Sequence, residues 1–95
     1  MSILRNKLAK KLYETGVLYL KIDEFEPARM SFNSVLDQYY DTDIVEQVYV
    51  GMIKSYIKSN KIKQAKEYWL NKGQEEIVSE ELINEIEHLF AEVEK

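Results

Sequence analysis

Apolar residues recur at helical spacing along the whole chain, and no segment alternates apolar and polar residues as a half-buried strand does. The pattern predicts five helices, which end near residues 23, 39, 59, 72 and 94. In the first of them the apolar positions lie three or four residues apart, or at multiples of that step: Ile3, Leu4, Leu8, Leu12 and Tyr19. We therefore predict an all-α fold.

Residues typical of helix ends mark these boundaries. Asp23 and Glu26 have the spacing of a capping box at the start of the second helix. Pro27 then falls in the first turn, where its ring and missing N–H disturb a helix least. The later boundaries are predicted at Thr42 or Asp43 as the N-cap of the third helix, at Gly73 as a left-handed residue that ends the fourth, and at Ser79 as the start of the fifth.

The sequence also repeats with a period of 37 residues, and a repeat of this length is typical of a helical solenoid. We predict a single domain over 1–95 that forms a right-handed α-solenoid. Two helix hairpins, at about 3–40 and 43–73, are followed by a capping helix at about 79–94. The matched pairs are Leu12 with Tyr49, Tyr19 with Tyr56, Phe25 with Ile62, Ala28 with Ala65, and Phe32 with Trp69.

Small residues indicate where the helices of a hairpin cross. A glycine inside a helix costs about 0.5–1 kcal/mol relative to alanine, so Gly16 is best explained by a close approach to Ala28 on the next helix. Aromatic side chains then fill the space around the crossing. The predicted structural core is Leu12, Gly16, Tyr19, Phe25, Ala28, Phe32, Tyr56, Ala65 and Trp69.

These residues resemble the tetratricopeptide repeat (TPR), in which a bulky residue, glycine, tyrosine, an aromatic, alanine and an aromatic follow at fixed steps. Two departures are Tyr40, where the motif usually has proline, and the period of 37 residues instead of 34. The resemblance implies a scaffold whose concave face binds protein partners. The candidate partner-binding residues are Tyr13, Val17, Arg29, Lys54, Ile57 and Lys58.

A narrower resemblance is to the late repeats of the BamD family of outer-membrane assembly lipoproteins. Arg5, Leu8 and Ala9 open the first helix as in that family, Gly16 and Tyr19 follow, and Tyr39, Asp41 and Thr42 form a similar turn. The resemblance implies docking onto the POTRA domain of the barrel subunit, at the periplasmic face of the outer membrane. The family's arginine before the phenylalanine of helix two is replaced by Ser31, and Arg29 is the arginine nearby.

The alternative hypothesis is a stand-alone TPR adaptor, for example a periplasmic protein of the Tol–Pal type, whose groove binds a peptide or a helix. Tyr13, Val17 and Leu20 from the first helix, with Val50, Lys54 and Ile57 from the third, are predicted to line that groove. The groove would combine apolar and lysine side chains, and such a groove is able to accept a peptide or a helix. Neither hypothesis specifies an oligomeric state.

Charge is segregated along this chain of 95 residues, whose net charge is −4. Residues 1–22 carry +4, 23–47 carry −6, 48–73 carry +5 and 74–95 carry −7, which favours contacts between neighbouring segments. No single basic face is built up, so nucleic-acid binding is not predicted. The stripe of Lys54, Lys58 and Lys61 is most simply a solvated helix surface.

No apolar run reaches 18 residues and the N-terminus is charged from Arg5 onward, so neither a membrane span nor a signal peptide is predicted. The chain by itself would be cytoplasmic. If it is part of a BamD-like protein, it would lie at the periplasmic face of the outer membrane.

The chain lacks the groups that most catalytic and metal sites require. It has no cysteine, and its only histidine is His88. Glu85 and His88 have the Glu-x-x-His spacing of di-iron bundles, but such sites need a second motif and further glutamates. Three scattered glycines form no phosphate-binding loop. The sequence therefore predicts a protein without enzymatic activity, cofactor or metal.

Overall fold

The computed structural model describes residues 3–93, and within this range the chain is all helical and contains no strand, which confirms the predicted all-α class. None of these helices is long and apolar enough to cross a membrane. The helices are α1 (Ile3–Lys21), α2 (Phe25–Gln38), α3 (Val45–Lys58), α4 (Ile62–Tyr68, continued by a π-helical turn at Trp69–Gly73 and a last turn at Gln74–Glu76) and α5 (Glu80–Val93).

The turns α1–α2 and α3–α4 have the same backbone geometry, displaced by 37 residues. Each places one residue in the left-handed region, Asp23 with φ 62° and Asn60 with φ 64°. Left-handed backbone suits the short polar side chains of aspartate and asparagine. In each turn the following N–H donates to the carbonyl five residues back, as in a Schellman motif: Glu24 to Tyr19 at 2.9 Å and Lys61 to Tyr56 at 2.8 Å.

Two predicted N-caps are wrong for the same physical reason: the polar residue serves the preceding turn. Asp23 ends α1 in the left-handed conformation, so it forms no capping box, and Glu24 is the N-cap of α2 without a side-chain cap bond. The N-cap of α3 is Ile44, instead of Thr42 or Asp43. The Thr42 hydroxyl instead donates to the Tyr39 carbonyl at 2.7 Å.

The prediction that Gly73 ends the fourth helix is also wrong. Its φ is −62°, and helical backbone continues through it to Glu76. A Cβ placed on Gly73 would lie only 2.6 Å from Cε3 of Trp69, so the glycine provides space beside that ring and does not form a left-handed turn. The fifth helix begins directly after Ser79, and its predicted last residue, Glu94, lies outside the described residues.

Consecutive helices pack against one another from α1 to α4, and α5 then packs against α3. The buried side chains form two clusters, one shared by α1, α2 and α3, the other by α3, α4 and α5. The first consists of Ala9, Leu20, Ala28, Phe32, Val35, Val48 and Met52. The second consists of Val50, Ile53, Ala65, Ile77, Ile86 and Phe90.

The Phe32 ring is the point where the first three helices meet. A Cβ on Gly16 of α1 would approach the ring to 2.5 Å, and a Cβ on Gly51 of α3 to 2.8 Å. Both glycines therefore provide the space for one fully buried aromatic side chain. Of the other predicted core residues, Ala28 and Ala65 are fully buried, and the rest pack half-buried against the clusters: Leu12, Tyr19, Phe25, Tyr56 and Trp69.

Candidate protein-binding groove

A groove of about 340 Å³ runs between α1 and α3. Its lining comes from positions related by the 37-residue repeat: Tyr13 with Val50, Val17 with Lys54, and Lys21 with Lys58. Residues 13, 17 and 21 lie one helical turn apart, so each helix presents a single face to the groove. Leu20, Gln47, Gly51, Leu82 and Glu85 complete the lining.

The groove has an apolar floor and a basic rim. Leu20 and Val50 are buried, whereas Lys21 and Lys58 are exposed. Lys54 lies between these zones, and its Nζ is 2.7 Å from Oε1 of Glu85 on α5. The arrangement suits a segment that has apolar residues on one side and carboxylates beside them.

Tyr13 packs against the first core cluster at the edge of the groove. Its ring centroid is 5.8 Å from that of the buried Phe32, with the two planes inclined by 39°. Burial raises the pKa of Tyr13 above its ordinary value, while the nearby Lys54 acts in the opposite direction. The hydroxyl is therefore protonated at neutral pH, where it is available as a hydrogen-bond donor to a partner.

The last helix, α5, lies beside the groove because contacts hold it both just before its first residue and near its middle. Glu46 of α3 accepts backbone hydrogen bonds through Oε1 from Val78 at 2.8 Å and from Ser79 at 3.0 Å. Further along α5, Ile86 is fully buried in the second cluster. Leu82 and Glu85 therefore lie beside α3 and form one wall of the groove.

Two of the six candidate binding residues lie elsewhere. The guanidinium of Arg29 stacks over the Tyr56 ring at 4.8 Å and donates to Ser55 Oγ at 3.4 Å, and it borders a separate depression with Pro27 and Lys61. Ile57 packs half-buried against the second cluster. Tyr13, Val17, Lys54 and Lys58 are the four that the structure brings together.

Lys21 of α1 and two residues of α5, Leu82 and Glu85, line the groove although they were not predicted to do so. The repeat itself contained a signal for Lys21, since it stands 37 residues before Lys58. The opposite charges of residues 48–73 and 74–95 favoured a contact between these segments, and Lys54 with Glu85 realises it. Nothing in the residue spacing of α5 predicted that Leu82 and Glu85 would line the groove.

A second polar cluster ties the start of α1 to the turn after α2. Arg5 donates through Nη2 to Asp41 Oδ1 at 2.7 Å and to the Gln38 carbonyl at 2.8 Å, and its guanidinium lies 5.1 Å from the Tyr39 ring centroid. The hydrogen bond from Arg5 is the main cause that lowers the pKa of Asp41. Two segments on which the BamD-like resemblance depends are thus in direct contact.

The two residues of the Glu-x-x-His motif contact different partners. Glu85 binds Lys54, whereas His88 Nε2 lies 3.1 Å from Oε1 of Glu92 on the same helix. Over residues 3–93 there is no group of three or more His, Cys, Asp and Glu side chains placed to hold a metal ion. Ile86 and Phe90 of the same helix are buried in the second cluster.

Comparison with known proteins gives no independent assignment, because no family model, curated protein or solved structure matches the chain. The groove and the repeated hairpin that forms it are therefore the features from which a function is proposed.

Proposed function

We propose that this protein is a non-catalytic interaction scaffold of the TPR type, a right-handed solenoid of two hairpins capped by α5. The main support is the alignment of repeat-related residues into one groove: Tyr13 with Val50, and Val17 with Lys54. Two copies of the same helix face, placed side by side, form a surface longer than either helix offers alone. Such a surface suits an extended or helical segment better than a small molecule.

The chemistry of the groove specifies the kind of segment. Apolar side chains would fill the space above Leu20 and Val50, and carboxylates beside them would approach Lys21 and Lys58. Glu85 of α5 already illustrates this recognition within the chain, because it pairs with Lys54 next to Leu82. The expected partner is an amphipathic acidic segment of another protein.

The test selects displayed random peptides on the folded protein and measures each selected peptide by fluorescence anisotropy. We expect enrichment of peptides that combine acidic and apolar residues. Tyr13→Ala and Lys58→Glu should each weaken binding at least about tenfold, which corresponds to about 1.4 kcal/mol. Lys63→Glu, a charge reversal at an exposed α4 position outside the groove, is the matched control and should bind as the wild type does.

The control also makes the experiment decisive. Equal binding by the wild type and Lys58→Glu, or enrichment of basic peptides, would contradict the assignment. Lys54→Glu belongs in the series, but it also breaks the ion pair with Glu85, so circular dichroism must first show that the variant is folded.

A second candidate function is a BamD-like scaffold at the periplasmic face of the outer membrane, which docks onto a POTRA domain of the barrel subunit. The contact of Arg5 with Tyr39 and Asp41 favours it, since these residues belong to the segments that resemble the family. Titration with a cognate POTRA domain is the test, and no binding at high micromolar concentration would contradict this hypothesis. Its outcome is independent of peptide binding in the groove.

A further inference from the structure

The groove between α1 and α3 continues beyond Tyr13, towards the start of both helices. A second depression of about 610 Å³ lies there, and Gln47 of α3 lines both depressions. Its other lining residues are Ile3, Asn6, Lys7 and Lys10 from α1, with Asp43 and Ile44 from just before α3. The two depressions therefore adjoin, and together they form one surface, the α1–α3 surface.

The 37-residue repeat also relates the residues of the second depression. On α1, Lys10 and Val17 lie seven residues apart, as do Asn6 and Tyr13, so the same face of the helix lines both depressions. The opposite side follows in the same register: Asn6 with Asp43, Lys7 with Ile44, and Lys10 with Gln47. One register therefore continues over the full length of the α1–α3 surface.

Basic side chains lie at both ends of this surface, and apolar side chains lie between them. Lys7 and Lys10 are exposed at one end. Lys21 and Lys58 are exposed at the other end. The side chains between them are mainly apolar: Tyr13, Val17, Leu20 and Val50. The groove described first is thus the apolar centre and one basic end of a longer surface.

We propose that the α1–α3 surface binds one amphipathic helix of a partner protein, which has an apolar centre and carboxylates at both ends. The lining contains five lysines and two carboxylates, Asp43 and Glu85, so its net charge of +3 favours an acidic partner. Lys7 and Lys21 stand 14 residues apart on α1, which corresponds to about 21 Å. A partner helix of about 18 residues is long enough to reach both ends. The inference rests on the proposed scaffold function and specifies the segment that the scaffold binds.

The last helix of the chain is an example of an acidic helix packed beside this surface. Helix α5 is rich in glutamate, and it contributes Leu82 and Glu85 to the lining. Glu85 binds Lys54, with 2.7 Å between Oε1 and Nζ. An extended segment would span about 21 Å with only about seven residues, so the length of the bound segment distinguishes the two backbone conformations.

The first experiment measures the binding of a synthetic peptide of about 18 residues to the whole chain by fluorescence anisotropy. The peptide carries glutamates near each end and leucines along one helix face between them. Lys10→Glu and Lys7→Glu reverse a charge at the end that the groove alone does not include, and each should weaken binding at least about tenfold. Lys11→Glu is the matched control, because Lys11 is exposed on α1 but lies outside both depressions, and it should bind as the wild type does.

Lys58→Glu, at the opposite end of the surface, separates this inference from the proposed function. If Lys58→Glu weakens binding but Lys10→Glu and Lys7→Glu bind as the wild type does, the partner occupies only the groove; the longer surface is then wrong and the scaffold function still holds. Equal losses in all four variants would show binding by net charge alone and would overturn the inference. Failure of the peptide to bind the wild type would also overturn it, whereas the selection of displayed peptides decides the proposed function.

The second experiment tests the helical backbone of the bound segment. A proline in the middle of the same peptide breaks its helix and should weaken binding at least about tenfold. A peptide of about seven residues with a glutamate at each end spans the same distance when it is extended, and it should bind more weakly than the long peptide. Equal or tighter binding of the short peptide, or no effect of the proline, would overturn the helical partner. Circular dichroism of the free Lys10→Glu and Lys7→Glu proteins should match the wild type, which assigns their loss of binding to the surface and not to the fold.

Discussion

The two hairpins share a turn and a residue spacing, but they accommodate their large aromatic residue in different ways. Phe32 of α2 and Trp69 of α4 occupy equivalent positions in the repeat. Phe32 is fully buried, whereas Trp69 is half-buried. The difference between them lies in which helix provides the space.

In the first hairpin the neighbouring helices provide it. Gly16 of α1 and Gly51 of α3 lie against the Phe32 ring, and a Cβ on either would come within 2.8 Å of it. Helix α2 itself stays regular over Phe25–Gln38. The aromatic ring is thus accommodated at the cost of two glycines in other helices, each of which weakens its helix slightly.

In the second hairpin the position equivalent to Gly16 is Ile53, which is fully buried and leaves no space for the larger ring. In this hairpin the helix that carries the aromatic residue is itself irregular: a π-helical turn in α4 begins at Trp69 and ends at Gly73. An insertion of this kind shifts the following residues round the helix. The repeat therefore places an aromatic residue at the same position of both hairpins, but the neighbouring side chains determine how that residue packs.

The largest effect should come from Phe32→Ala. Loss of a fully buried phenylalanine from a contact shared by three helices should reduce the free energy of unfolding by about 3–5 kcal/mol. Trp69→Ala should cost less because its side chain is half-buried. Urea denaturation followed by circular dichroism measures both variants, and a greater loss in Trp69→Ala would contradict the comparison.

Gly16→Ala should destabilise the protein although alanine favours helices. The added Cβ would lie 2.5 Å from the Phe32 ring, which Gly51 confines from the other helix. Overpacking of this kind costs about 1–3 kcal/mol, beyond the gain in helix propensity. The same denaturation assay checks it, and in the Phe32→Leu background the loss should shrink, because the smaller side chain frees space. A stabilising Gly16→Ala would mean that the ring is not confined.

Gly73→Ala should have a smaller effect than Gly16→Ala. Its Cβ would also approach an aromatic ring, at 2.6 Å from Trp69, but that ring is half-exposed and is able to shift outward. The gain in helix propensity, about 1 kcal/mol, then offsets much of the strain. Unfolding midpoints of the two alanine variants, measured side by side, test the difference, and equal losses would remove the distinction between the hairpins.

The sequence predicts the elements of this fold better than their details. Helical spacing locates five helices, and the 37-residue repeat relates the two turns that Asp23 and Asn60 form. The sequence predicts Gly73 as a helix end because a glycine after a helix usually has that function. Its actual function depends on Trp69 and Ile53, and local sequence patterns do not describe three-dimensional crowding.

In the groove, too, some residues are predictable from the sequence and others are not. Tyr13, Val17, Lys54 and Lys58 follow from helix periodicity, because residues on one face of α1 and α3 stay together when the helices pack side by side. Arg29 satisfies no such rule, and its position over Tyr56 was not predictable from spacing. The wall formed by α5 depends on Glu46 binding the segment at Val78, a contact between residues 32 positions apart.

The smallest predicted loss of stability concerns the segments that follow the two hairpins. A basic side chain holds the first of these segments and an acidic side chain holds the second. Arg5 binds Asp41 after the first hairpin, whereas Glu46 accepts the N–H groups of Val78 and Ser79 after the second. Arg5 and Asp41 are exposed, so solvent weakens their ion pair, and Asp41→Asn should reduce stability only slightly at neutral pH.

The pH dependence of that small loss identifies its origin. Because Arg5 lowers the pKa of Asp41 below the ordinary value of 3.8, the folded state binds the proton more weakly than the unfolded state does. The stabilising contribution is therefore present above pH 3.8 and is lost as the pH falls through the lower pKa of the folded state. Urea midpoints of the wild type and of Asp41→Asn should differ at pH 6 and converge at acid pH. A difference that persists below the folded pKa would show that Asp41 acts through its shape or its hydrogen bonds, and Arg5 would then not be what holds this turn by charge.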